Sequence, residues 1–258
     1  MEYAIVTAPV AAIRKKPGHR KEMTNQLLFG ESVRILKIKN KRWLKVESLF
    51  DGYVGWLTHH LITRVEKAEA KETAKNLTAD PLSEILYNKE KMLLPMGSFL
   101  PGFENGNGTI GQNTFKYSGN SLTLTGLENE QSPGDKIEAL ALKWCNAPYL
   151  WGGKTILGVD CSGFAQTVFK LAGIPILRDA WQQAQQGQRI KKLIHAQKGD
   201  LAFFDDADEI VHVGILLSPN HIIHASGKVR IDKIDQQGII HTETQKRTHQ
   251  LRVIRRFF

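Results

Sequence analysis

Only two cysteines, Cys145 and Cys161, occur among 258 residues, and no Cys-x-x-Cys pair is present. That scarcity excludes a disulfide framework and the usual zinc-ribbon donor set, and the unlike surroundings of the two thiols argue against a bond between them. The sequence also has no apolar run near the ~18 residues a membrane span requires. At the N-terminus, Glu2 stands where a secretory leader needs basic residues, and no uninterrupted apolar core follows. The chain as written is therefore expected in the cytoplasm, or in a secreted or periplasmic setting if a leader has been removed, with no membrane partner.

The formal charge is +9, but the basic residues are scattered, as in Arg14-Lys15-Lys16, Lys191-Lys192 and Arg255-Arg256. No stacking-aromatic motif accompanies them, so nucleic acid is not an expected partner, and affinity for anionic ligands is the milder inference. A composition of 41% hydrophobic and 24% charged residues is that of a globular protein. The length calls for two or three compact units.

The first sixty residues alternate short apolar runs with turns. Leu27-Leu28-Phe29 passes through Gly30-Glu31 into Val33–Ile38, Asn40-Lys41 marks a turn, and Trp43–Val46 and Tyr53–Leu57 follow. This spacing predicts a small β-barrel. Residues 64–76 are polar and helix-permissive without an apolar face, as in a linker or exposed helix. A second β-rich stretch, with Met92–Ser98 and Phe115–Tyr117 around a Gly/Asn-rich turn region, predicts a second, diverged barrel.

From Ser132 the period changes. Ser132-Pro133-Gly134-Asp135 supplies an N-cap, a proline at the first helical position and an acid in the first turn. Ile137, Leu140, Ala141, Trp144 and Cys145 recur at helical spacing, which predicts Cys145 on a buried face. After Cys161 the apolar residues Phe164, Val168 and Leu171 fall at helical spacing, and Gly173 and Pro175 close the helix. Cys161 thus stands at a helix start, where the dipole and free backbone N–H groups favour a thiolate and can meet an oxyanion.

Two histidines offer a base. Val211–Leu217 and His221–Ala225 flank Ser218-Pro219-Asn220, a predicted hairpin with a three-residue loop. If Leu217 faces His221, then Gly214 faces His224, and His212 and His224 are diagonal neighbours on one face. His212 would take the thiol proton and His224 would bond its far nitrogen. A packing cysteine, half-buried strand histidines and a zinc site remain open on these residues alone.

Taken together, Tyr149-Leu150-Trp151-Gly152-Gly153, Asp160-Cys161-Ser162-Gly163-Phe164, Gly199-Asp200-Leu201-Ala202-Phe203-Phe204, His212-Val213-Gly214-Ile215 and His224-Ala225-Ser226-Gly227 resemble, in order and spacing, the NlpC-type cell-wall peptidases. The resemblance spans about residues 132 to 258, and members with N-terminal bacterial SH3-like barrels resemble the whole chain. It implies an α+β architecture, a papain-like cysteine peptidase domain (131–258) preceded by two small SH3-like β-barrels (1–63 and 77–130) joined by a linker (64–76). It further implies a γ-D-glutamyl-L-diamino acid endopeptidase of murein-peptide recycling, cutting L-Ala-γ-D-Glu-diamino acid peptides after γ-D-Glu. No metal or organic cofactor is implied, and a monomer is expected.

By the same resemblance Cys161 is nucleophile, His212 base, His224 the third polar residue and Tyr149 an oxyanion-hole hydroxyl. Asp160 would meet a free amino terminus and Ser162 the D-Glu α-carboxylate, while Glu22 and Tyr53 would help select a free N-terminal L-Ala. A solvated loop acid and a barrel aromatic are the bland alternatives for Glu22 and Tyr53. Where some relatives show Pro-Arg-Asp-Ser, this chain has Leu177-Arg178-Asp179-Ala180. A serine bond would be absent, and Arg178 either contributes to D-Glu binding or pairs with Asp179 or another acid. Another papain-like amidase or acyl transferase, or a catalytically silent peptide-binding protein, is the competing reading.

Overall fold

The computed structural model describes residues 2–72, 74–124 and 132–258. The expected boundary at 130/131 and Thr73 of the 64–76 segment lie outside the described residues. Among the described residues, 2–124 together with Trp151–Ile156 form one compact unit, and 132–150 with Leu157–Phe258 form another. The architecture is that expected: a β-rich N-terminal unit and an α+β unit carrying Cys161.

In the first unit, β1 (Tyr3–Val6), β2 (Val10–Arg14), β3 (Met23–Leu28), β4 (Ser32–Lys39), β5 (Trp43–Ser48), β6 (Val54–Thr58) and β7 (Ile62–Val65) form an antiparallel sheet of order β3-β2-β6-β5-β4-β1-β7. Asn40 and Lys41 both take φ of 52°, the left-handed conformation that a tight β4–β5 hairpin turn requires. Alternate residues of these strands, Ile13, Leu27, Val33, Leu44, Val46 and Leu57 among them, form one apolar core. A short helix, α1 (Lys67–Lys71), buries Ala70.

Strands β8 (Asn76–Thr78), β9 (Leu82–Tyr87), β10 (Glu90–Pro95), β11 (Asn107–Ile110), β12 (Asn113–Tyr117) and β13 (Ser121–Thr123) follow. Four of them make a sheet of order β10-β9-β12-β11, and β8 pairs with β13. The two β-rich parts share a second core, in which Phe29 meets Phe115 and Tyr87 edge-on at centroid distances of 5.6 and 5.8 Å. Gly108 is required opposite Phe115, because a Cβ there would lie 2.1 Å from the phenyl ring.

The second unit opens with α2 (Pro133–Leu142), capped as expected by the Ser132 hydroxyl accepting from Asp135 N–H. The helix ends at Leu142, so Cys145 leaves the helical register: Trp144 is buried and Cys145 is exposed, contrary to the buried thiol that periodicity predicts. Two-residue strands β14 (Lys154–Thr155) and β15 (Gly158–Val159) precede α3 (Cys161–Ala172) and α4 (Ala180–Gln183). All twelve residues of α3 are buried, and Gly173 at φ 87° closes it with backbone bonds to Lys170 and Phe169.

Strands β16 (Gln188–Ile190), β17 (Leu201–Asp206), β18 (Glu209–Ser218), β19 (His221–Ser226), β20 (Lys228–Asp235), β21 (Gly238–Ile240) and β22 (Arg247–Arg256) form the second large sheet. Its order is β16-β22-β17-β18-β19-β20-β21, and β21 also pairs with β22, so six strands close into a ring. Ala202, Phe204, Leu216, Ile222, Ile234, Ile239 and Ile254 form one core cluster. The pairs Phe204–His212, Gly214–His224 and Ile222–Asp232 place His212, His224 and Asp232 on the face of that cluster. Among the described residues no helix is long and apolar enough to cross a membrane.

Asp200, in the Gly199–Phe204 block, is fully buried and pins the C-terminal strand. Its carboxylate accepts from Arg256 Nε and Nη2, both at 2.7 Å, and from Gln197 N–H at 2.8 Å. Asp200→Ala would leave the half-buried Arg256 guanidinium without its carboxylate and is expected to destabilise the second unit by about 2–3 kcal/mol, read as a lowered urea midpoint. An unchanged midpoint would show that the pair contributes nothing net.

Candidate active site

Each side chain of the site is placed by a local device. Asp160 is the N-cap of α3, its Oδ1 accepting Gly163 N–H at 2.7 Å, which leaves Cys161 as the first helical residue. The β18–β19 ladder ends at the Gly214–His224 pair. One residue beyond that end, the backbone N–H of Val213 reaches the Cys161 thiol, as does the N–H of Ser162. The Cys161 thiol therefore lies against the strand that carries His212, where two neighbouring strands have ceased to pair.

The hairpin delivers the two imidazoles as a diagonal pair, with one correction to the expected turn. Ser218, not Leu217, pairs with His221, and the extra residue is taken up as a bulge between Leu216 and Ser218. The loop is thus the two residues Pro219 and Asn220, tightened by the Ser218 hydroxyl donating to Asn220 Oδ1 at 2.6 Å. Because the bulge absorbs the difference, Gly214 still faces His224. Nε2 of His212 lies 2.9 Å from Nδ1 of His224.

The chain of contacts continues past His224. Its Nε2 lies 3.0 Å from Asp232 Oδ2, which also accepts Arg230 Nε–H at 2.8 Å, while Asp232 Oδ1 accepts Thr242 N–H at 2.9 Å. His249 of β22 stacks on His212 at a centroid distance of 4.2 Å and 25° between planes. Sequence reasoning singled out none of Asp232, Arg230 and His249. The alternation of β20 puts Asp232 and Arg230 on one face, but only strand pairing tells which histidine they meet.

Burial dominates the electrostatics. It pushes the Cys161 thiol up to about 12, with the Asp160 carboxylate adding to the shift. Burial also holds His212 well below the ordinary imidazole value, helped by the neighbouring His224, His249 and Arg230. His224 is lowered by burial despite its bond to Asp232, and His249 falls to about 4. Both shifts favour the uncharged forms, a thiol and a neutral imidazole. Tyr149 is raised by burial and by the nearby Cys161 and Asp160, so its hydroxyl stays protonated and can donate.

Arg178 is nearly inaccessible, at 1% exposure, and pairs with Asp160. Nη2 donates to Asp160 Oδ2 at 2.7 Å and Nη1 to the Ser162 hydroxyl at 2.8 Å, so the guanidinium binds the residues on both sides of Cys161. Gln183 Nε2 donates to the Ser162 carbonyl at 3.1 Å. In the first unit, Glu22 Oε1 accepts from Trp151 Nε1 at 3.1 Å and Oε2 lies 3.5 Å from Lys15 Nζ. Tyr53 packs on the apolar core, and its hydroxyl donates to the Thr24 carbonyl at 3.4 Å. Among the described residues no group of three or more His, Cys, Asp or Glu is arranged to hold a metal.

A thiol, a neutral imidazole oriented by a second one, and a phenol beside them constitute the equipment of acyl transfer. The comparisons agree. The family described as NlpC/P60 matches residues 146–250, and the bacterial dipeptidyl-peptidase Sh3 domain matches residues 13–61. Dipeptidyl-peptidase 6 of Lysinibacillus sphaericus is 28% identical over 91% of this chain and 92% of its own. Gamma-D-glutamyl-L-lysine dipeptidyl-peptidase of Bacillus subtilis (strain 168) is 30% identical over 78% of this chain and 71% of its own. A crystal structure of a Bacillus cereus protein of the same family covers 99% of both chains with a TM-score of 0.81 at 20% identity, a likeness of fold.

Gly214 lets the imidazoles meet. A Cβ at this position would lie 2.6 Å from Ile222 Cδ1 and 2.9 Å from His224 Cβ. Gly214→Ala is expected to cost about 1–3 kcal/mol through overpacking and to lower kcat about tenfold or more by displacing His224. Urea unfolding and steady-state kinetics check both, and an alanine variant with unaltered kcat would refute the close-approach argument.

Proposed function

We propose that this chain, which belongs to the NlpC/P60 family, hydrolyses the bond between γ-D-Glu and the diamino acid in murein peptides that begin with a free L-Ala. That it is a peptidase of the cysteine type follows from family membership and peptidase-named relatives. The finer reading is supported by the gamma-D-glutamyl-L-lysine dipeptidyl-peptidases of Bacillus subtilis and Bacillus cereus, both aligned over more than two thirds of their length. The observation that carries it is the buried trio beside the nucleophile. Asp160 and Ser162, held by Arg178, offer an anion and a hydroxyl that suit an ammonium group and a carboxylate.

In the proposed reaction the His212 imidazole takes the Cys161 proton as the sulfur attacks the γ-carbonyl carbon of D-Glu. The oxyanion is met by first-turn backbone N–H of α3 and by the Tyr149 hydroxyl. Collapse breaks the amide bond, the departing amine takes the proton from His212, and a diamino acid leaves. Water, deprotonated by the same imidazole, then releases L-Ala-γ-D-Glu from the thioester.

The decisive experiment is mass spectrometry of L-Ala-γ-D-Glu-diaminopimelate and of its lysine counterpart, each with free and acetylated amino termini. Release of the diamino acid from the free peptides, its loss with Cys161→Ala and His212→Ala, and poor cleavage of the acetylated peptides are expected. Equal cleavage of blocked and free peptides would favour a less selective amidase, and full activity of either variant would sink the mechanism.

The depressed His212 also sets a pH dependence. The base works only when neutral, so activity is lost as pH falls through its lowered pKa, on the acid side of the usual imidazole value of about 6.5. The acid limb of kcat/KM is expected on the acid side of that usual imidazole value. A limb centred at pH 7 or above would contradict a lowered His212.

A further inference from the structure

The buried chain of polar groups behind His212 carries an assignment that neither the family match nor the named relatives supply. Asp232 is 1% exposed, yet it accepts from three sides: the His224 ring, Arg230 Nε–H and Thr242 N–H. Burial alone would raise its pKa, but these bonds hold it below the ordinary carboxylate range, so it is an anion. An anionic carboxylate has no hydrogen to give. The His224–Asp232 bond therefore has one polarity, with His224 Nε2–H as donor.

The remaining polarities follow without choice. His224 is neutral, so with its hydrogen on Nε2 its Nδ1 is a lone pair and only accepts. The contact of 2.9 Å between His224 Nδ1 and His212 Nε2 then requires His212 Nε2–H as donor. A neutral His212 with its hydrogen on Nε2 keeps a lone pair on Nδ1, the one ring nitrogen left to face a substrate or thiol.

The geometry points to Asp232, held by Arg230 and the Thr242 backbone, as the positioning residue that sets the tautomer of both histidines and makes Nδ1 of His212 the base. Asp232 acts through His224 and touches neither thiol nor substrate. When His212 Nδ1 takes the Cys161 proton, the ring becomes an imidazolium whose Nε2–H still donates to His224. No proton moves to Asp232, which remains a carboxylate throughout. The other groups around the chain are His249, stacked on His212, and His241, whose influence on His224, like that of Arg230, disfavours a positive charge there.

Asp232→Asn reverses the logic, because a carboxamide can donate to His224 Nε2. That would place the hydrogen of His224 on Nδ1, turn His212 Nε2 into an acceptor and occupy its Nδ1 with hydrogen. Long-range 1H–15N correlation spectra of the full chain labelled in histidine nitrogen read these states directly, with single His→Gln replacements giving the assignments. The wild-type protein at pH 7 is expected to show His212 and His224 both as Nε2–H. The asparagine variant is expected to show Nδ1–H at one or both rings and a fall in kcat of about a hundredfold or more, with KM within about threefold and thermal unfolding still cooperative.

Nδ1–H at either ring of the wild type overturns the assignment, and this arm decides even if Asp232→Asn does not fold. A folded variant with unchanged tautomers and kcat overturns it as well. The kinetic arm rests on the peptidase reading above, whereas the spectra do not. Correct tautomers in an enzyme that cuts no murein peptide would remove the substrate proposal and leave this one standing, and cleavage with the opposite tautomers would do the reverse.

Discussion

The bond between His212 and His224 is the interaction on which the second unit's chemistry depends. It is formed inside a closed ring of strands, where water cannot compete for either ring, and it requires a residue without a side chain at Gly214. Burying imidazoles in such a place favours their neutral form. The same burial raises the thiol.

An anion inside this ring is tolerable only because it is fully bonded. Asp232 is desolvated, and a buried charge of this kind is strongly destabilising when a partner is missing. Arg230, Thr242 and His224 supply those partners from the same and neighbouring segments. A second buried pair, Arg178 with Asp160, stands beside Cys161 and fixes both the helix cap and the Ser162 hydroxyl. Two ionic assemblies thus stand in this unit, one behind His224 and one on the residues that flank Cys161.

Much of the site was legible in the chain. Ser132 and Gly173 announce helix ends because capping is a local transaction within a few residues, and the structure has both in those roles. The spacing of His212, Gly214 and His224 across Ser218-Pro219-Asn220 sufficed to make the histidines neighbours, since strand periodicity is strict. In two places the structure departs from strict periodicity. The bulge at Leu217 shortened the loop while preserving the Gly214–His224 pair, and the early end of α2 at Leu142 exposed Cys145.

The sequence by itself determined where the helices begin, which cysteine starts one, and which two histidines share a face, because each depends on contacts within a few residues. The tertiary structure alone decided that Arg178 answers Asp160, that His249 stacks on His212, and that Asp232 stands behind His224. Those partners lie 18, 37 and 8 residues apart in the chain (178 − 160, 249 − 212 and 232 − 224). Neither hydrophobic period nor propensity carries information across strands; only the closing of the sheet brings such groups together and removes the water that would otherwise make their contacts weak.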